Sequence, residues 1–454
     1  MSDIEEHRKK IEEITLEMIK LLKTRTDIAK QIGDAKASLG MTVTDEERED
    51  ALRTQVTKLC KEIDLDQSTA LKFLNLLLNE SVKVQSDNKQ THLSVFLKAK
   101  ALEEEGKKII HLEVGEPDFK PPEEVKTALA EVYDKGYGKY GSPKGITELR
   151  KALAAESANV SEENIMICPG ARFGVYLAIT TLLNPGDEII VIEPAWPAYK
   201  DCALNAGVKV RTIKTTLETE WEPSIEQINN AINENTKMIV INYPNNPTGK
   251  IFDDLNMIKD VAQKHDLYVL SDEIYEEYDR RPDLEHEYTS FWELNYEKTI
   301  ITQSFSKSHA MTGYRIGYVI AEKPIIEKMS KLQALSLTNV SEPIQYAALE
   351  ALKANTSENK NMIKSRVEAL VKIAKDIGLE FIEPDGAMYL FAKTKYKNFD
   401  ATKFSEKLLE QGVAIAPGEG FGDYKEFFRI TAIDETKLKE GMIILDTVLK
   451  ESYE

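Results

Sequence analysis

The sequence predicts a multi-domain chain: an N-terminal all-α module of three helices, then an α/β unit with a mostly parallel sheet in a large domain and a small α/β domain beside it. Three observations carry this reading. Residues 3–86 hold almost no strand or turn signal, with only Gly33 and Gly40 and no proline. From about residue 92, short β-branched runs alternate with amphipathic segments, the pattern of strands covered by helices on both faces. Between the two textures lies the polar stretch SDNKQT (86–91). The domains are therefore placed at 1–88 and 92–454 with a linker at 89–91. The large domain takes about 140–322 and the small domain 92–139 with 323–454.

The helices read as 3–38, 45–63 and 67–86. Thr44 with Glu47 makes a capping box for the second, and DLDQS (64–68) breaks the chain and recaps it for the third. At ~1.5 Å per residue the first is roughly 50 Å long, more than two shorter helices can cover, so its apolar face calls for another subunit. The strand candidates are 165–167, 188–192, 237–242, 267–271, 299–303 and 318–321, followed by 380–382, 387–392 and 427–431.

Composition narrows the function. With 59 basic against 77 acidic residues the net charge is −18, which argues against a phosphate-backbone-binding face and so against nucleic acid as a partner. The three cysteines, Cys60, Cys168 and Cys202, form no CxxC pair, and the histidines form no HxxH or HxxxH pair, so no metal site is expected. The opening MSDIEEHRKK is charged where a signal peptide is apolar, and no apolar run reaches ~18 residues. A cytoplasmic protein that does not enter membranes is expected.

In steps of three and four along the first helix come Arg8, Ile11, Thr15, Met18, Leu22, Arg25, Ala29, Ile32 and Lys36, all on one face. Cations on an apolar seam are costly to bury unless they converge on an anion. The second helix adds Asp45, Arg48 and Glu49 to one face, and the third adds Ser81 and Gln85. Over 4–86 this pattern resembles the all-helical chorismate mutases, with Arg8, Arg25, Lys36 in IGDAK, Asp45–Arg48–Glu49 and Ser81–Gln85 at the family's spacing. Thr15 stands where that family usually has an acidic residue. The resemblance implies that Arg25, with Arg8 from a partner subunit, holds the two carboxylates of chorismate. Lys36 and Gln85 would donate to the ether oxygen and Glu49 would accept from the ring hydroxyl, with Asp45, Arg48 and Ser81 completing the site. The reaction fits: a concerted rearrangement needs a compact substrate and stabilised ether-oxygen charge, not proton transfer. A hairpin serving only for dimerisation or regulation is the alternative.

The larger part has no GxGxxG opening a helix and no GxxxxGK[ST]. Lys307 in SFSKSHAMTGYRIGY follows the apolar strand TIITQ, a position suited to a Schiff-base nucleophile. Around it stand LEVGEPDF (112–119), KYGSPKGITELRKAL (139–153), CPGARFG (168–174), EPAWPAY (193–199), NYPNNPTG (242–249), SDEIYEEY (271–278) and FFRIT (427–431). In this order they resemble fold-type-I pyridoxal-phosphate aminotransferases of the aspartate/aromatic aminotransferase superfamily. The resemblance implies pyridoxal 5'-phosphate as cofactor, bonded to Lys307, with Asp272 on the pyridine nitrogen and Tyr275 and Asn246 on the ring oxygen. Trp196 would stack on the ring or line the substrate side. The phosphate would lie on the Gly170, Ala171 and Arg172 amides, with Ser304, Arg315 and a partner subunit's Tyr140. Arg429 would clamp the substrate α-carboxylate beside Gly115.

Together these readings predict a bifunctional homodimer with shared sites, acting on chorismate, amino acids and 2-keto acids. The expected reactions are chorismate to prephenate, and amino transfer between glutamate or aspartate and prephenate or an aromatic 2-keto acid. Prephenate carries a second carboxylate, for which Arg172 or the segment 336–343 offers an anchor. A strict aspartate aminotransferase and a pyridoxal-phosphate lyase are the alternatives for this part.

Overall fold

Helix α1 (Ser2–Ser38) runs unbroken because no proline or β-branched cluster interrupts it, and α2 (Glu46–Ile63) and α3 (Gln67–Ser86) follow. The computed structural model describes residues 2–38, 45–86, 92–281 and 288–453. The expected capping box rests on Thr44, which lies outside the described residues, as do the linker residues 89–91. The Asp45 side chain caps α2 by accepting from the Arg48 amide, and Asp64 in a left-handed conformation ends it. Ala29, Cys60, Leu71 and Leu74 are buried where the three helices pack. The other end of α1 is bare: Ile4, Ile11, Ile14 and Met18 are exposed. Thr15, likewise exposed, donates its hydroxyl back to the Ile11 carbonyl.

The chain divides into two compact units, Met1–Lys89 and Gln90–Glu454. The second opens with α4 (His92–Glu104) and the short strand β1 (Ile110–His111). Seven strands then build the central sheet: β2 (Ile165–Cys168), β3 (Glu188–Glu193), β4 (Lys209–Lys214), β5 (Thr236–Asn242), β6 (Tyr268–Asp272), β7 (Thr299–Ser304) and β8 (Gly317–Ala321). Their order is β2-β8-β7-β6-β5-β3-β4, and every pair is parallel except those of β8, which runs against both neighbours. Alternate side chains divide between two cores. Ile190, Ile239, Val269 and Ile301 face one helical layer, while Val191, Val240, Leu270 and Ile300 face the other. Both faces are covered, which is why the middles of these strands, as in IIVI of β3 and MIVI of β5, are continuous apolar runs.

A second sheet orders β11 (Ala416–Pro417), β12 (Phe427–Thr431) and β9 (Tyr389–Lys393), all antiparallel, while β10 (Val413–Ala414) pairs in parallel with β1. This part has its own core, in which Leu112, Leu390, Phe404, Phe428 and Leu445 are fully buried. The strand expected at 380–382 is not formed. Only Glu380 bridges to Lys393, and the chain then leaves the sheet toward Pro384. The strand expected at 387–392 is Tyr389–Lys393, because Ala387 takes a positive φ of 58° that is incompatible with a strand. Among the described residues no helix is long and apolar enough to cross a membrane, and no cluster of His, Cys, Asp or Glu could hold a metal.

Candidate active sites

In parallel sheets ligands gather at the carboxyl ends of the strands. Here Asn242 ends β5, Asp272 ends β6, and Ser304 ends β7 ahead of the single turn Phe305–Ser308 that carries Lys307. A cavity of about 300 Å³ opens there. It gathers Lys307, Asp272, Tyr275, Asn246, Trp196, Ala171, Arg172, Arg315, Gly115 and Arg429 of the residues singled out from the sequence.

Asp272 is buried, and Tyr199 donates its hydroxyl to one carboxylate oxygen at 2.6 Å. The other oxygen, Oδ1, is buried without a hydrogen-bond partner among the described residues. Burial raises the pKa of this carboxyl, against the Tyr199 hydrogen bond. A cationic ring nitrogen placed at Oδ1 would both satisfy the atom and favour its charge. Behind it, Asn242 donates to the Asp272 carbonyl at 2.7 Å and accepts from the Asn246 amide at 2.8 Å, so the ends of β5 and β6 are tied to the Asn246 loop.

Lys307 is half-buried; its ammonium donates to the Gly115 carbonyl, and Nζ lies 5.9 Å from the centre of the Tyr275 ring. Burial pulls its pKa down to about 8, with the Arg429 and Arg315 cations helping and Glu116 and Asp272 opposing. The Tyr275 hydroxyl is 2.5 Å from that of Tyr389, and Tyr278 donates to the Lys307 carbonyl at 2.7 Å.

Arg429 is 2% exposed and sits in the middle of β12. Its Nη1 donates to Asn246 Oδ1 at 2.7 Å, and its Nη2 donates to the Glu113 carbonyl. Its Nε is buried without a partner among the described residues, and the guanidinium lies 4.4 Å from the Tyr389 ring centre. A buried guanidinium held flat with donors to spare is built for a carboxylate. Across the cavity Arg172 stacks on Trp196, 4.6 Å from its ring centre.

The amino end of the helix Ala171–Leu182 also faces the cavity, preceded by Gly170 at φ +83°. A Cβ on Gly170 would lie 2.6 Å from Arg315 Nη2, so glycine lets that guanidinium close over the helix end. Arg315 is fixed there through the Thr312 and Pro169 carbonyls. This corner suits a phosphate. Ser304, expected to contact it, does not line the cavity of one chain: its Oγ is 2.9 Å from the Ile316 carbonyl and 2.8 Å from Ser306 Oγ and accepts from the Ser306 amide, while Ser306 does line it. Tyr140 is 90% exposed and outside the cavity of a single chain. Tyr199, Asn242, Tyr389 and Ser306 were not picked out from the sequence. Tyr199 lies within EPAWPAY, but its pairing with Asp272 spans 73 positions and leaves no local signal.

The helical unit brings fewer residues together. Arg25 is half-buried and its Nη1 donates to the Leu77 carbonyl at 2.6 Å and to Ser81 Oγ at 2.5 Å, joining α1 to α3. Gln85 packs against Gly33, where an added Cβ would lie 2.9 Å from its Cγ; its Oε1 is buried without a hydrogen-bond partner among the described residues. Lys36 and Glu49 are half-buried, Arg48 is exposed, and Asp45 serves the α2 cap. Arg8 is exposed beside Glu5, and seventeen residues from Arg25 along one helix places it roughly 25 Å away. One chain cannot bring these two arginines to one ligand.

Comparison with known proteins agrees with both expectations. Residues 107–443 match the model for aminotransferase class I and II, and residues 7–86 match that for chorismate mutase type II. The chain is 36% identical to an aspartate aminotransferase of Thermotoga maritima over 71% of its length and 87% of the relative's. It is 33% identical to an aspartate/prephenate aminotransferase of Thermus thermophilus over 80% of its length and 96% of the relative's. Among solved structures, the Thermus thermophilus aspartate aminotransferase with maleate superposes with a TM-score of 0.76 at 32% identity, covering 81% of this chain and 98% of that one. The central sheet, mostly parallel with helices on both faces, is that of these fold-type-I enzymes. The chain therefore belongs to the class I and II aminotransferases and joins to that transferase, over residues 7–86, an isomerase domain of the type II chorismate mutases.

Proposed function

We propose that the larger unit uses pyridoxal 5'-phosphate to transfer an amino group from glutamate or aspartate to prephenate or an aromatic 2-keto acid, and that the helical unit makes prephenate from chorismate. The observation that carries the transferase reading is the convergence of Lys307, the free Asp272 oxygen and Arg429 on one cavity. The cofactor fits this residue set: Asp272 Oδ1 for the pyridine nitrogen, Tyr275 and Asn246 for the ring oxygen, Trp196 for the ring face, and the Ala171–Leu182 helix end with Arg315 for the phosphate. When bound, it supplies an electron sink for the substrate Cα–H bond. Arg429 then orients the substrate α-carboxylate, and Lys307 Nζ moves the proton at Cα.

The lowered Lys307 pKa gives a pH prediction. The neutral amine is the nucleophile, so the rate at which apoenzyme captures pyridoxal phosphate should rise with pH and level off above about 8. Stopped-flow absorbance measures it. A rate still climbing toward the free-lysine value of ~10.4 would show that burial does not tune this amine.

For the substrate, Arg172 on Trp196 is a cation beside an apolar wall, suited to a ring that bears a carboxylate. The segment 336–343 does not line the cavity of one chain. A relative named for both aspartate and prephenate and a neighbour solved with the dicarboxylate maleate support a second, cationic anchor for a carboxylate. Measuring kcat/KM for prephenate, phenylpyruvate and oxaloacetate with glutamate as donor tests this, with prephenate expected to match or exceed the others. Oxaloacetate ahead by a hundredfold, about 2.7 kcal/mol in transition-state binding, would sink it.

In the mutase unit Arg25, Lys36, Glu49 and Gln85 are proposed to hold chorismate, with Arg8 supplied by a second copy. The bare apolar end of α1 and the separation of Arg8 from Arg25 support a homodimer.

A further inference from the structure

Glu113 is a buried carboxylate for which the reaction described above has no use. It lies in the extended segment after β1, whose main chain is tied on every side. The Leu112 amide donates to the Ala414 carbonyl and the Thr431 amide to the Leu112 carbonyl; the Glu113 carbonyl accepts from Arg429 and the Gly115 carbonyl from Lys307. The side chain of Glu113 has one partner. Its Oε1 is 2.7 Å from His111 Nδ1, and its Oε2 is buried without a hydrogen-bond partner among the described residues. On its other edge the His111 ring meets α4, with Nε2 3.2 Å from Glu103 Oε1, an ion-pair approach without hydrogen-bond geometry, and Glu103 Oε2 accepts from Lys100 at 2.7 Å.

An imidazole between two carboxylates is favoured in its protonated form. Its pKa is raised by the Glu113 hydrogen bond, against the cost of burial, with Glu103 adding to it. The facing titratable groups are Glu113 from its own segment and Glu103 and Lys100 from α4; β10 beside it offers only Val413 and Ala414. The imidazolium is thus the counter-charge of a carboxylate buried one peptide group away from the arginine clamp. Without it, the buried Glu113 side chain would have no partner among the described residues, a state that local movement relieves. Movement would displace the carbonyl that fixes Arg429 Nη2.

We infer that His111 and Glu113 are positioning residues for the amino-transfer site: their ion pair holds the main-chain segment that orients Arg429 toward the substrate carboxylate. The inference rests on the reading of Arg429 as that clamp, and the experiment separates the two. Holoenzyme is assayed for kcat and KM with glutamate, for maleate affinity by calorimetry, and for Tm, as wild type, His111→Gln, the double variant His111→Gln with Glu113→Gln, and Arg429→Gln. In His111→Gln, KM for glutamate and Kd for maleate should rise about tenfold with kcat within about threefold, as expected when an interaction shared by ground and transition states is lost. The double variant, with a neutral hydrogen-bonded pair, should return both to within about twofold of wild type. From pH 7 to 9 the KM of the wild type should rise more steeply than that of the double variant, because the imidazolium is lost as pH climbs through its raised pKa.

Equal loss of kcat and affinity with a lowered Tm in His111→Gln, no loss of affinity, or no rescue in the double variant would overturn the inference. Should His111→Gln not fold, the pH comparison between wild type and double variant decides, and parallel profiles overturn it. An Arg429→Gln enzyme that binds glutamate and maleate as wild type does would instead remove the clamp reading itself.

Discussion

Replacing Lys307 with alanine should lower amino transfer by at least about 10⁴-fold while chorismate mutase activity stays within twofold of wild type. The transferase loss is expected to be large because, on the function proposed above, one amine serves twice, as the covalent attachment for the cofactor and as the group that moves the substrate proton. Among the described residues that line the cavity no second amine can stand in: the neighbouring Arg315 and Arg429 are guanidiniums tied to carbonyl or amide oxygens. The mutase is spared because Arg25 and its partners Leu77 and Ser81 lie in a separate compact unit. Coupled assays on the same purified sample, with circular dichroism to confirm folding, check both halves. Loss of both activities in folded protein would mean that the two sites are not independent.

The converse substitution, Arg25→Ala, should cost the mutase about 10³-fold and leave amino transfer unchanged. Removing one preorganised donor to a developing anion costs about 10²–10³-fold in enzymes that work by electrostatic stabilisation. Arg25 sits at the upper end of that range for two reasons. It is half-buried, where burial lowers its pKa and an ion pair with a substrate is correspondingly less screened. Its Nη1 is already aimed by Leu77 and Ser81, so the charge is oriented before the substrate arrives. Ser81→Ala should therefore show a smaller loss in the same direction. Disappearance of chorismate, followed by its absorbance, is the measurement. A mutase rate within tenfold of wild type in Arg25→Ala would remove Arg25 from the catalytic set.

The strands that carry the candidate active site were legible because a sheet covered on both faces is built from continuous apolar runs, and such runs stand out among helices. Edge strand β4, KVRTIK, was not, since three of its six residues are charged and only Lys209 and Ile213 are buried. The two-residue strands β1, β10 and β11 are too short to leave a pattern, and 380–382 has strand composition without a second partner to complete it. Among site residues, Lys307, Asp272 and Arg429 follow from motif and strand position together. That Ser306 and not Ser304 lines the cavity depends on a turn in which Ser304 reaches the Ile316 carbonyl twelve residues away, a contact with no local signal. Tyr199 and Tyr389 act through partners 73 and 114 positions distant, information that one sequence does not carry locally.

The antiparallel strand β8 also bears on how the chain is made. Strand β2 pairs with β8 alone, so Ile165–Cys168 have no ladder until Gly317–Ala321 have been synthesised. At about 5–20 residues per second, the intervening stretch keeps that edge waiting for roughly 7–30 s on the ribosome. The strands between them, β3 to β7, pair with one another as they emerge, whereas the buried run IMIC must wait with its backbone hydrogen-bonding edges unpaired. Closure by β8 is a high-contact-order step, and nascent chains halted before residue 317 should be the ones that chaperones hold and that aggregate when released.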